Sequence, residues 1–147
     1  MDILSKLPER LSELMFERNL KAKDLAPHIG VNRCTVNRYL RGARFPNFSI
    51  LTKIVEFFNC SADFLLGLVE ENPTNVTFLP IPPFNERFRA LMRKHKMSQY
   101  KLHELTNFSY DNFNNWLKGT THPYADNLMK LAQAFDCSVD YLIGRIE

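Results

Sequence analysis

The 147-residue sequence holds no apolar run approaching the ~18 residues that a membrane-spanning helix needs, so no such helix is expected. Its start, "MDILSKLPERLSELM", carries acidic residues at helical spacing where a signal peptide would place a basic and then an apolar stretch. Cysteine is scarce: Cys34, Cys60 and Cys137 form no CxxC pair, and an odd count cannot complete a disulfide framework. Free thiols in a reducing, cytoplasmic setting are the expectation. Glycine is scarce too, and no glycine-rich phosphate loop occurs. The four histidines (His28, His95, His103, His122) show no ligand spacing with cysteine or carboxylate. No nucleophile and base fall into a recognisable catalytic pattern. The expectation is a protein without metal, cofactor or enzymatic activity. The formal charge is only +3, so any affinity for polyanions must come from where the charge sits.

What is present is a repeat. Sliding the chain against itself by 77 residues aligns residues 9–70 with 86–147 without a gap, with 18 identities over 62 positions. Glu9-Arg10 falls on Glu86-Arg87, Leu14-Met15 on Leu91-Met92, and Leu25 on Leu102. Gly42 falls on Gly119, Pro46 on Pro123, and "NCSADFLLG" on "DCSVDYLIG". Two similar domains are expected over 1–70 and 84–147, joined by "ENPTNVTFLPIPP" at 71–83. Four prolines make that linker extended, and thirteen residues at this rise could reach about 43 Å. Its Val76, Phe78, Leu79 and Ile81 suggest that part of it lies against a domain.

Strand signals are nearly absent, and the fold class read from the pattern is all-α, five short helices in each half. In the first half they fall at about 8–18, 22–29, 32–41 and 47–58, with a fifth from Ser61 to Gly67. Asn32 and Ser61 are good N-caps. Leu11, Leu14 and Met15, then Leu25, Ala26 and Ile29, then Val36, Tyr39 and Leu40 form the inward faces; Ile50, Leu51, Ile54, Val55 and Phe58 continue the core. Cys60 and Cys137 match across the repeat and read as buried structural thiols. Tyr39 and Trp116 also match and read as core or rim packing.

Between helices two and three stands "HIGVN". Gly30 can take the positive φ that a tight turn between steeply crossed helices needs, and the second half places Asn107 there. A short helix, such a turn, a second short helix, then a glycine and a proline make a helix-turn-helix pattern. The stretch "LAPHIGVNRCTVNRYLRGARFPNFSILTKIVEFFNCSADFLLG" resembles the DNA-binding domain of the lambda-repressor/Cro (XRE) superfamily, and the resemblance extends over nearly all of both halves.

That resemblance implies a five-helix bundle whose third helix enters the major groove of double-stranded DNA, and a transcriptional regulator, chiefly of repressor type. Carried over by alignment, base-edge contacts fall on Asn32, Arg33, Cys34, Asn37 and Arg38, with Arg41 and Arg44 on phosphates. Physics agrees with the placement: these residues share one face of helix three, and Val36, Tyr39 and Leu40 the other. Arginine forks onto guanine O6 and N7, asparagine onto adenine N6 and N7.

The second half departs from this. Ser109, Tyr110, Asp111, Asn114 and Asn115 occupy the reading positions. Over 20–44 the first half sets Lys21, Lys23, Arg33, Arg38, Arg41 and Arg44 against Asp24, a net of +5. Over 97–121, Lys101 and Lys118 stand against Glu104 and Asp111, a net of zero. The second half keeps Gln99, where the family often places a glutamine that bonds a phosphate, and Lys118 as a further phosphate candidate; the first half has Ala22 at the glutamine position. The first helix of the second half also carries Arg87, Arg89, Arg93, Lys94 and Lys96.

Two functional classes follow. The leading one is a sequence-specific DNA-binding regulator acting as a homodimer or as an intramolecular pseudo-dimer, since two half-sites one turn apart are about 34 Å from centre to centre. The other is a protein-interaction module in which the second domain has given up DNA and serves dimerisation or a partner protein, as an antitoxin-like regulator would.

Overall fold

A computed structural model describes residues 5–147. The first four residues, which the expected first domain includes, lie outside the described residues. The described chain contains ten α-helices and no strand, so the all-α expectation holds. No helix among the described residues is long and apolar enough to cross a membrane. The chain divides into two compact units, residues 1–75 and 76–147.

In the first unit the helices are α1 (Leu7–Glu17), α2 (Ala22–Ile29), α3 (Arg33–Leu40), α4 (Phe48–Phe58) and α5 (Ala62–Leu65). Each boundary has a local cause. Pro8 sits in the first turn of α1, where its missing N–H is no loss. Asn32, Asn47 and Ser61 accept backbone N–H groups at the starts of α3, α4 and α5. Gly30 ends α2 at φ 74° and Asn59 ends α4 at φ 50°, both left-handed. The apolar faces close on one another, α1 against α3 and α5, α2 against α3 and α4. Leu11, Leu25, Ile29, Val36, Leu51 and Ile54 are fully buried between them. Leu40 and Ile50, expected in this core, are only half-buried, because both lie at helix margins next to solvent-facing turns.

The second unit repeats this order as α6 (Phe84–Lys94), α7 (Gln99–Thr106), α8 (Tyr110–Lys118), α9 (Ala125–Ala134) and α10 (Val139–Leu142). Its core is more aromatic. Phe88 meets Phe113, Trp116 and Phe135 at centroid distances of 6.3, 6.1 and 6.4 Å. The two latter pairs are edge-on, the arrangement that ring quadrupoles favour. Tyr39 and Trp116 are both buried, consistent with packing. Cys60 is buried, but Cys137 is half-buried. The expectation of a buried thiol fails there because the α9–α10 turn leaves position 137 partly open to solvent.

One buried contact recurs in both units. Arg10 lies 7% exposed and donates to the carbonyls of Phe64 and Val69, with its guanidinium 4.2 Å from the Phe64 ring centroid. Its repeat partner Arg87 donates to the Tyr141 carbonyl and stands 4.8 Å from that ring. Each arginine thus ties the first helix of its unit to the last. In the second unit the segment before α6 also packs on the body: the Leu79 N–H donates to the Arg145 carbonyl at 2.7 Å, and the Arg145 guanidinium covers the Phe78 ring at 3.7 Å.

Candidate nucleic-acid interface

The α2–α3 turn sets the geometry of the first unit's exposed surface. Gly30 takes the left-handed conformation, its N–H closing on the Ala26 carbonyl, and Val31 also donates to Ala26. The backbone then re-enters helix at Asn32, whose Oδ1 accepts the Thr35 N–H at 2.8 Å and the Thr35 hydroxyl at 3.0 Å. Asn32 therefore serves as a cap, and its amide N–H groups are what remain for another partner. With Val36 and Tyr39 buried, the opposite face of α3 presents Arg33, Cys34, Asn37 and Arg38 to solvent. Arg41, at the C-cap, and Arg44, three residues on, are exposed as well.

Among the described residues no hydrogen bond or ion pair ties down the guanidinium of Arg33, Arg38, Arg41 or Arg44. Four guanidiniums held within one short stretch with no anionic partner form a positive surface that a polyanion would neutralise.

The second unit has the same frame with different chemistry. Asn107 takes the turn position at φ 61°, and Ser109 caps α8 by accepting the Asn112 N–H. Tyr110 is 41% exposed and stacks on His103 at 4.8 Å; the His103 Nδ1 in turn donates to the Phe108 carbonyl at 2.7 Å. Asp111 and Asn114 are exposed, while Asn115 is half-buried with its Oδ1 accepting the Thr120 hydroxyl. Lys118 is exposed in the last turn of α8.

Gln99, the first residue of α7, donates from Nε2 to Asn114 Oδ1 at 3.3 Å, joining α7 to α8. In the first unit Ala22 cannot make that bridge. There a groove of about 250 Å³ stays open, lined by Phe16, Lys21, Ala22, Asn37 and Leu40 among others. The groove shows that the end of the first helix, the start of the second and the middle of the third converge.

Several basic residues of α6 are not free. Arg87 is turned to Tyr141, Arg89 donates to the Leu117 carbonyl at 3.0 Å, and Lys94 stands 5.7 Å over the Tyr141 ring. Arg93 and Lys96 remain exposed. The charge contrast between the units narrows when the end of the first helix is included. Residues 16–44 still carry a net of +5, whereas 93–121 gain Arg93, Lys94 and Lys96 and reach +3.

The family model for the Cro/C1-type HTH DNA-binding domain matches twice, over residues 10–71 and 87–147. Repressor protein C2 of Salmonella phage P22 is 36% identical over 58 residues, 40% of this chain and 27% of that repressor. The match thus spans about a quarter of that relative's length. The crystal structure of a transcriptional regulator from Listeria innocua is similar at 25% sequence identity and a TM-score of 0.43, covering 69% of this chain and 87% of that one.

Proposed function

Because the chain belongs to the Cro/C1-type helix-turn-helix DNA-binding family, we propose that it is a sequence-specific repressor that reads the major groove with α3. DNA binding and regulation come with the family; the groove, the helix and the sign of regulation are the proposal. The observation that carries it is the split surface of α3. Val36 and Tyr39 are buried, while Arg33, Asn37 and Arg38 stand exposed on the other side, their side chains without a hydrogen bond or ion pair among the described residues.

The roles follow from side-chain chemistry. Arg33 and Arg38 fork onto guanine O6 and N7, and Asn37 onto adenine N6 and N7. Asn32 offers its amide N–H groups at the start of the helix, and Cys34 fills the groove as a small side chain. Arg41 and Arg44 hold phosphates, which fixes register without reading sequence. Repression follows from occupancy, since a protein seated on a promoter excludes other proteins from the same groove. The similarity to a phage repressor over 58 residues supports that sign of regulation.

Selection of bound duplexes from a random pool tests the reading. The full chain should enrich a defined sequence containing guanine contacts. Binding that enriches no sequence at all would overturn specific readout and leave a non-specific polyanion binder.

A further inference from the structure

Matched positions of the two units exchange charge in a systematic way. Arg33 and Arg38 of the first unit become Tyr110 and Asn115 in the second. Conversely Phe16, Asn19 and Asp24 become Arg93, Lys96 and Lys101. The third helix loses these two cations, and the corner where the first helix ends and the second begins gains on balance: Arg18, Lys21 and Lys23 give way to His95, Ser98 and Tyr100, yet the net rises from +1 over 16–24 to +4 over 93–101.

That corner adjoins the reading helix. In the first unit Phe16, Lys21, Ala22 and Asn37 line one groove, so position 16 stands beside the middle of α3. In the second unit the corresponding positions are Arg93, Ser98, Gln99 and Asn114, and Gln99 is bonded to Asn114. Arg93, Lys96 and Lys101 are all exposed, with no hydrogen bond or ion pair from their charged ends to another described residue.

We infer that the second unit also holds DNA, by a phosphate clamp of Arg93, Lys96 and Lys101 around a reading surface that lacks cations and presents Tyr110, Asp111 and Asn114. The chain would therefore recognise a non-palindromic site with two chemically unlike halves. This inference rests on the reading of the chain as a DNA-binding regulator. The Gln99 contact uses one lone pair of the Asn114 carboxamide oxygen. Its other lone pair and its N–H groups remain, the set that forks onto adenine N6 and N7. Tyr110 supplies apolar surface of the kind that covers a thymine methyl, and its stacking on His103 fixes the ring. The first unit's arginines demand guanine. One half-site is thus guanine-bearing, and the other sets A·T pairs under Asn114 and Tyr110 with a cytosine amino group for Asp111.

The experiment uses the full chain and its selected duplex. Arg93→Gln, Lys96→Asn and Lys101→Gln are combined, with Asn chosen at 96 because Asn19 holds the matched position at φ 57°. Each lost phosphate contact removes about 0.9 from the slope of log K against log salt. The triple variant should flatten the slope by about 2 to 3 and lose footprint protection over the second unit's half-site alone. A slope within about half a unit of the parent with an unchanged footprint would overturn the inference. So would a palindromic selected site, which would mean two copies of the first unit on one operator. The Arg33→Ala, Arg38→Ala variant separates the two readings. If it loses sequence preference while the triple variant behaves as the parent, the proposed function stands and the second clamp does not. Circular dichroism of each variant confirms that the fold is kept.

Discussion

Replacing Arg10 by alanine should destabilise the first unit out of proportion to its appearance as one more surface cation. The side chain is 7% exposed and donates to two carbonyls, those of Phe64 and Val69. Hydrogen bonds from a charged donor contribute about 1.5–3 kcal/mol. The lower part of that range applies to Val69, an exposed residue whose carbonyl regains water, and Phe64 keeps a second donor in the Gly67 N–H. The guanidinium over Phe64 adds about 0.5–1 kcal/mol. The ion pair with Glu70 adds almost nothing, because its 3.9 Å separation ends on a carboxylate that is 83% exposed. The sum is about 3 kcal/mol, which for a unit of this size lowers the unfolding midpoint by about 12–24 °C. Scanning calorimetry of the full chain should show the first unit's transition displaced downward while the second is unmoved. Glu70→Ala, the control, should stay within about 0.5 kcal/mol of the parent. A shift for Arg10→Ala below about 4 °C would refute the reasoning, because it would mean that the buried arginine does not tie α1 to α5.

Other expectations concern the turn and the open groove. Gly30→Ala should cost about 1–2 kcal/mol through its φ of 74°, since the added methyl would meet only the mobile Lys53 amine at 3.3 Å. Gly30→Asn should be milder, because Asn107 already holds that position at φ 61°; chemical denaturation of the pair checks the order. Ala22→Gln should strengthen DNA binding about fivefold, by filling the groove beside Asn37 and adding a hydrogen-bond donor near the backbone. A titration showing equal or weaker binding than the parent would indicate that the groove does not face DNA.

Much of this architecture was legible because the chain carries its own comparison. The core faces are periodic, and the second copy shows which residues tolerate exchange. Gly30 and Asn107 marked the turn because few residues adopt positive φ at low cost. Three features escaped for physical reasons. Arg10 stood out only as the repeat match of Arg87, and Arg87 only as one of several basic residues of its helix, since burial of a guanidinium depends on carbonyls some fifty residues away. The Gln99–Asn114 bridge, and the groove that Ala22 leaves in its place, depend on how two helices cross. The second unit's basic corner lies outside the span that matches the turn and third helix, because Arg93, Lys94 and Lys96 precede residue 97.

The most direct test of sequence reading by α3 compares the parent with the Arg33→Ala, Arg38→Ala variant at one fixed salt concentration. The quantity is the ratio of affinities for the selected duplex and for a scrambled duplex of the same composition. Each guanine fork discriminates by about 1–3 kcal/mol, so the ratio should fall at least about tenfold, beyond any general loss of affinity. An unchanged ratio, with both affinities reduced in parallel, would contradict the assignment and leave these arginines as phosphate contacts only.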